Sequence, residues 1–268
     1  MPELEGFSEH AVPAKPLDDF ARIWEGFCRQ NDKADVAVLG AGVAGAEVAM
    51  AAAHRLQDLG RASEVSLIDR SQALSRLGAQ ARGKVLASLK DLGVQLYEHT
   101  EVVRIGAEVI EIEGSAPISA HLTLGAAGTR AYDWLSQTGL ALEDGYIRVL
   151  PTLQSESDPD VFAVGDCAHL SHAPRPKAGV FAVREAPVLF HNLRAALTGA
   201  AMKEYHPQSD YLKLISLGGK QALAEKQGIA ISGRWMWRWR WPPHRARGWK
   251  VGWLQTRRPG RLYWRVMT

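Results

Sequence analysis

A short apolar run, Val36-Ala37-Val38-Leu39, enters Gly40-Ala41-Gly42-Val43-Ala44-Gly45, and an alanine-rich stretch follows from Ala46 to Leu56. Few other patterns constrain a fold as tightly. The order is buried strand, three-glycine turn, helix. The first glycine permits a tight turn, the second lets a pyrophosphate approach the backbone, and the third lets the helix pack closely on the strand. The phosphates then rest on the helix N-terminus, where free N–H groups and the helix dipole favour anions. A Gly-x-Gly-x-x-Gly alone is weak, and its alternative is a glycine-rich structural turn. The flanking strand and helix favour a dinucleotide site held by Gly40, Gly42 and Gly45.

A second apolar strand, Val65-Ser66-Leu67-Ile68, should lie beside the first and end in Asp69. A carboxylate at that tip is placed to bond the ribose hydroxyls of the adenosine. Arg70 follows and would suit a 2′-phosphate instead, so both NADH and NADPH stay open, with NADH preferred because Asp69 would repel the extra phosphate.

With 268 residues and 46% hydrophobic content, the chain can bury one or two cores of ordinary domain size. Residues 1–10 do not read as a signal peptide, and the longest low-charge run, 36–53, carries Glu47 and three glycines, so no membrane span is expected. Cys28 and Cys167 match neither a redox pair nor a disulfide framework, which makes the cytoplasm the expected compartment.

Along the chain, residues 1–33 read as a Pro-rich linker and a helix from Leu17 to Gln30. After Asp69, Ala73 to Leu92 read as helix. Three short segments, 94–97, 101–105 and 107–112, suggest a β-meander. A strand from Ile118 to Leu124, with His121 as a cap, enters the small-residue turn Gly125-Ala126-Ala127-Gly128. A further strand, 160–164, runs into Gly165-Asp166, which puts a carboxylate where open α/β sheets bind ligands. A helix from about Ala178 to Leu197, interrupted by Pro187, would offer its positive end to an anion.

Together these segments resemble the pyridine nucleotide-disulfide oxidoreductase superfamily, which includes the type II NADH dehydrogenases. The resemblance spans most of residues 10–240. It implies an α/β fold: a Rossmann-like dinucleotide-binding domain with a three-stranded β-meander, plus the C-terminal half of an FAD-binding domain. The expected segments are 1–33, a linker and helix; 34–150, the NAD(P)-binding domain; 151–233, the FAD half; and 234–268, a basic tail. FAD and NAD(P)H are the implied cofactors. By the same resemblance Asp166, after Gly165, bonds the FAD ribitol, and Glu47 lies near the nicotinamide and flavin rings as the catalytic residue. Gly128 belongs to the family's Ala-Thr-Gly turn, written here Ala127-Gly128-Thr129. Together with Asp166, the helix N-terminus near Lys177, Ala178 and Val180 would hold the flavin's sugar and its developing negative charge. The strings Pro176 to Glu185, Tyr211 to Ser216 and Gly233 to Trp237 are similar to the subgroup fused to selenide, water dikinase.

In that superfamily an FAD-binding glycine motif precedes the nicotinamide domain, whereas this sequence opens at the linker, so the first FAD half is expected to be missing. The implied function is an incomplete FAD-dependent NAD(P)H oxidoreductase with an unidentified electron acceptor. Its alternative is a non-catalytic nucleotide-binding remnant or interaction module without FAD. A separate chain supplying the other FAD half is a third reading.

Residues 234–268 contain nine arginines, one lysine, no acid and seven of the nine tryptophans, while residues 1–233 carry 22 basic against 29 acidic groups. A basic aromatic patch for nucleic acid or lipid is one reading. A shifted reading frame in a GC-rich gene yields the same Arg, Trp, Gly and Pro bias and is preferred, so neither nucleic acid nor membrane is an expected partner of the tail. Cys167-x-His169-x-x-His172 lacks a fourth ligand, and no metal is expected. Gly218-Gly219-Lys220 has neither the spacing nor the hydroxyl of a phosphate-binding P-loop, and no Gly-x-Ser-x-Gly elbow occurs.

Overall fold

The computed structural model describes residues 4–15, 17–29, 34–61, 63–126, 128 and 131–240. The expected tail therefore lies outside the described residues from 241 onward, as do Ala127 and Thr129. Two compact units are present: one holds residues up to 127 together with those from 212 onward, and the other is Gly128–Tyr211.

The first unit opens with α1 (Phe7–His10), β1 (Ala11–Pro13) and α2 (Leu17–Phe27). It continues through β2 (Val36–Leu39), α3 (Val43–Asp58), β3 (Val65–Ile68), α4 (Ala79–Asp91) and β4 (Gln95–Tyr97). The last strands before the second unit are β5 (Val102–Ile105), β6 (Val109–Ile112), β7 (Ile118–Ser119) and β8 (Leu122–Gly125). A five-stranded sheet in the order β1-β8-β2-β3-β4 is parallel throughout. All four residues of β2 and of β3 are buried, as parallel strands covered on both faces require. On α3, Ala46, Ala49, Met50, Ala53 and Leu56 recur at helical spacing and are buried.

Four local expectations differ from what is seen. The Pro-rich opening is not only linker, because Ala11–Pro13 pairs in parallel with 123–125 as an edge strand. Pro13 is tolerated there since an edge strand leaves one side without ladder partners. The helix expected from Ala73 begins only at Ala79. Leu74 has a φ of +54° and donates its N–H to the Ala41 carbonyl, a conformation no helix accommodates. Residues 95–97 join the parallel sheet, and the antiparallel three-stranded sheet is β5-β6-β7 instead. Finally, the strand expected from Ile118 to Leu124 breaks at Ala120–His121. There the His121 and Leu122 N–H groups both reach the Asp35 carbonyl, and Asp35 N–H donates to His121 Nδ1.

The second unit contains a 3₁₀ turn at Asp133–Gln137, then β9 (Leu142–Glu143), β10 (Tyr146–Val149), a 3₁₀ turn at Gly165–Cys167, β11 (Ala168–Leu170) and α5 (Gly179–Thr198). The strands form a sheet in the order β11-β10-β9. Leu135, Ile147, Val149, Leu153, Leu170 and Tyr205 make its core. Among the described residues the segment 160–164 forms no ladder: it makes the bridge Gln154↔Phe162, flanked by bonds from the Ser155 N–H to the Val161 carbonyl and from the Ala163 N–H to the Leu153 carbonyl. Pro187 sits inside α5, which continues past it to Thr198. Asn192, fully buried, donates to the Thr152 and Lys203 carbonyls and accepts the Lys203 N–H, pinning α5 to both flanking loops.

The chain then returns to the first unit through β12 (Lys213–Ser216), β13 (Ala222–Lys226), β14 (Ile229–Gly233) and α6 (Arg234–Arg240). β12–β14 form an antiparallel meander whose Ile215, Leu217, Leu223 and Ala230 share an apolar cluster with Val38, Met50 and Val85. Lys84 Nζ donates to the Ala230 carbonyl, and the Ala230 N–H donates to Gln80 Oε1. Residues 212–233 thus pack with the glycine-loop unit because their apolar face matches α3 and α4. Among the described residues, no helix is long and apolar enough to cross a membrane.

Candidate functional site

In the first unit, β2 ends at Leu39 and the chain turns at Gly40, whose φ of +100° is outside the range of ordinary residues. A Cβ on Gly45 would sit 1.8 Å from the Gly40 carbonyl oxygen. Gly45 is therefore the close-packing glycine that lets α3 start against the turn. A Cβ on Gly42 would meet nothing within 4 Å among the described residues, which leaves open space over the loop there. Gly42 caps α3 without a side-chain hydrogen bond, and intrahelical bonding begins with Ala46 N–H to the Gly42 carbonyl. The first-turn donors and the open space suit a pyrophosphate.

Asp69 follows β3 and lies next to this loop. Its Oδ2 accepts the Ala41 N–H at 2.6 Å, and its Oδ1 accepts both the N–H and the hydroxyl of Ser71, at 2.8 and 2.7 Å. The carboxylate braces the glycine loop and marks the rim of the cradle. Arg70 is exposed. Glu47, in the first turns of α3, points its Oε1 at the Ser216 N–H, 2.6 Å away on β12. Gly40, Gly42, Gly45, Asp69 and Glu47 thus share one unit, and Glu47 is tied to the returning meander.

In the second unit, Gly165 and Asp166 form the turn before β11, and Gly165 has a φ of +63°. Lys177 Nζ donates to the Ala168 carbonyl and stands 4.1 Å from the centre of the Tyr146 ring. Burial holds the Lys177 ammonium below the ordinary lysine range, opposed by the Asp166, Glu185 and Cys167 charges. Ala178 caps α5 with no side-chain hydrogen bond. Gly128 has a φ of +76° and open space where a Cβ would point. This unit therefore brings Asp166, Lys177 and Ala178 to one end of α5, a positive helix terminus beside an ammonium and a carboxylate. Such a set suits an anionic cofactor bearing a hydroxylated chain. Burial, with Asp166 adding to it, raises the Cys167 thiol above its ordinary value, so it is a poor thiolate nucleophile.

Sequence reasoning did not single out Glu185 or Ser216. Glu185 occupies the buried face of α5 with Phe181, Asn192 and Ala195, so a charged residue at an apolar helical position was the available signal. Ser216 acts through its backbone, which leaves no trace in residue type.

A parallel sheet, a glycine turn and an uncapped helix start define a Rossmann-like α/β protein. Residues 2–186 match the family described as pyridine nucleotide-disulphide oxidoreductase. The chain belongs to that family. It is 26% identical over 250 residues to demethylphylloquinone reductase NdbB of Synechocystis sp., covering 87% of this chain and 60% of the relative. The type II NADH:quinone oxidoreductase Ndh of Mycobacterium tuberculosis is 29% identical over 233 residues, covering 75% and 50%. The chain spans about half to three fifths of the length of these curated relatives. Among solved structures, NDH2 from Plasmodium falciparum in complex with NADH superposes with a TM-score of 0.74 at 14% identity, covering 89% of this chain and 70% of that one. The sulfide:quinone oxidoreductase of Aquifex aeolicus gives 0.68 at 16% identity, covering 88% and 63%. At these identities the structural likeness speaks to the fold.

Proposed function

We propose that this chain is a flavin-dependent NAD(P)H oxidoreductase, or the nicotinamide-binding part of one, with NADH as donor and a quinone as acceptor. The observation that carries this reading is the glycine cradle. Gly45 is excluded from having a side chain by the Gly40 carbonyl, while Gly42 faces open space over an uncapped helix start. Gly40, Gly42 and Gly45 would hold the pyrophosphate, and Asp69 the adenosine ribose. Gly128, Gly165 and Asp166 would face the ribitol of FAD, with Lys177 and the start of α5 beside its electron-rich ring edge. Bound flavin would supply the two-electron acceptor for the nicotinamide hydride. The quinone assignment is supported by the names of the curated relatives alone.

Glu47 is assigned here to positioning as well as chemistry. Its carboxylate, held by the Ser216 N–H, would keep a fixed orientation close to the nucleotide helix. The NADH preference is supported by Asp69, since a 2′-phosphate at the β3 tip would meet its carboxylate.

The test is the visible spectrum of the purified chain after incubation with FAD, followed by anaerobic NADH. Retained flavin that bleaches with NADH is the expected result. NADH binding without flavin retention would reassign the chain as a nicotinamide-binding module, and failure to bind NADH would sink both readings.

A further inference from the structure

The buried face of α5 carries two polar residues, Glu185 and Asn192. Asn192 is accounted for by its three hydrogen bonds to flanking loops. Glu185 is not explained by fold alone. It is 3% exposed, and its Oε2 accepts the Gly165 N–H at 2.7 Å. Gly165 lies close against the helix, because a Cβ there would come within 3.1 Å of Cβ of Ala182 on α5. The turn that carries Asp166 therefore rests on α5 and is tied from below by one carboxyl group.

The same carboxyl borders a small cavity of about 20 Å³, lined also by Lys177, His169 and Arg175, with room for one water. Tyr205, 5% exposed, has a hydroxyl with no hydrogen-bond partner among the described residues, and it feels the Glu185 charge. Lys177 is surrounded by Asp166, Glu185 and Cys167, with the Tyr146 ring against its ammonium. A backbone N–H needs only an acceptor, which an amide oxygen would provide. Glu185 and Lys177 line the same cavity.

We propose that Glu185 is a positioning residue of the flavin-facing turn: its carboxyl holds the Gly165 amide, so that Asp166 is presented in one orientation, and it lines the same small cavity as Lys177. This rests on the proposed reading of Gly165, Asp166 and Lys177 as flavin-facing. Two properties of one side chain are involved, acceptor geometry and charge, and two substitutions separate them. Glu185→Gln retains an acceptor for Gly165 and removes the charge. Glu185→Leu removes both.

The experiment uses the full chain, isotope-labelled and free of flavin, and follows the Gly165 amide resonance and the titration of the Lys177 side chain by NMR. FAD affinity is measured in parallel by equilibrium dialysis. In Glu185→Gln the Gly165 resonance should stay in place, the Lys177 titration should move to lower pH, and FAD binding should weaken about tenfold. In Glu185→Leu the Gly165 resonance should also shift, and FAD binding should weaken about a hundredfold. A Gly165 resonance and a Lys177 titration unchanged in both variants would overturn the proposal. So would identical behaviour of the two variants in every readout. If Glu185→Leu does not fold, the Lys177 shift and retained Gly165 resonance of Glu185→Gln decide the matter. Failure of the wild-type chain to take up FAD would refute the flavin reading, while the two resonances would still report on the clamp.

Discussion

The carboxylate of Glu47 accepts the backbone N–H of Ser216 at 2.6 Å, joining residues 169 positions apart in the chain. It connects the nucleotide helix α3 to β12 of the returning meander. A backbone donor bonded to a part-buried carboxylate contributes more than a neutral pair, about 1.5–3 kcal/mol. Glu47→Ala should therefore lower the urea unfolding free energy by roughly that amount. Glu47→Gln, which keeps an acceptor, should lose less than half of it. Equal losses in the two variants would show that the bond to Ser216 does not hold the meander.

The glycine loop allows a sharper separation of folding from binding. In Gly45→Ala the new Cβ collides with the backbone oxygen of Gly40, so the turn must shift and the Tm should fall by several degrees. In Gly42→Ala the Cβ meets no atom of the described residues and a φ of −72° suits alanine, so stability should fall by no more than the loss of a glycine N-cap, about 1 kcal/mol. Its Cβ would nonetheless fill the space assigned to the pyrophosphate in the proposed site, and NADH affinity should drop about tenfold or more. Thermal melts and fluorescence titration with NADH check the pair. A Gly42→Ala variant with wild-type NADH affinity would remove the cradle from the binding site.

Those glycines were legible because their constraints are local. Gly40 needs a positive φ, and Gly45 must clear an atom five residues earlier. The position of Asp69 was legible for a similar reason, as the residue that follows a clearly apolar strand. Other features depend on pairings that residue type does not announce. Ala11–Pro13 becomes a strand because β8 offers an edge, and Leu74 leaves the helix because the Ala41 carbonyl captures its N–H. The Ser216 bond uses a backbone group, and the Glu185 bond crosses from a helix to a turn 20 residues away. The run 160–164 has the composition of a strand, yet among the described residues it makes a bridge at Phe162 and no ladder.

Burial raises the Glu185 carboxyl above its ordinary 4.5, against the opposing effects of the Gly165 N–H and Lys177. Between the ordinary value and the raised one, the unfolded chain has released this proton and the folded chain keeps it. The contribution to stability is then full below about pH 4.5 and declines as pH rises through the folded value. Glu185→Gln cannot titrate and should flatten the dependence. Urea midpoints at pH 5 and pH 7 for both proteins test this: the difference between the two pH values should be larger in the wild type. A variant with the same pH slope would assign the slope to other groups.

In the proposed binding pose Asp69 places a negative charge where a 2′-phosphate would arrive, and its oxygens already hold the Ala41 N–H and the Ser71 N–H and hydroxyl. Asp69→Asn removes the charge but keeps one oxygen to accept one of these donors, so the loop should survive. The expected change is in selectivity: NADPH affinity relative to NADH should rise about tenfold, the scale of one like-charge contact at a partly solvated site. Exposed Arg70 then becomes the nearest charged side chain in sequence, and Arg70→Ala in the Asp69→Asn background should reverse part of the gain. Kd values for both nucleotides, measured at one ionic strength because the effect is screened by salt, provide the check. An unchanged ratio in Asp69→Asn would mean that the ribose lies away from the β3 tip, and the dinucleotide would then have to enter the glycine cradle in a different orientation.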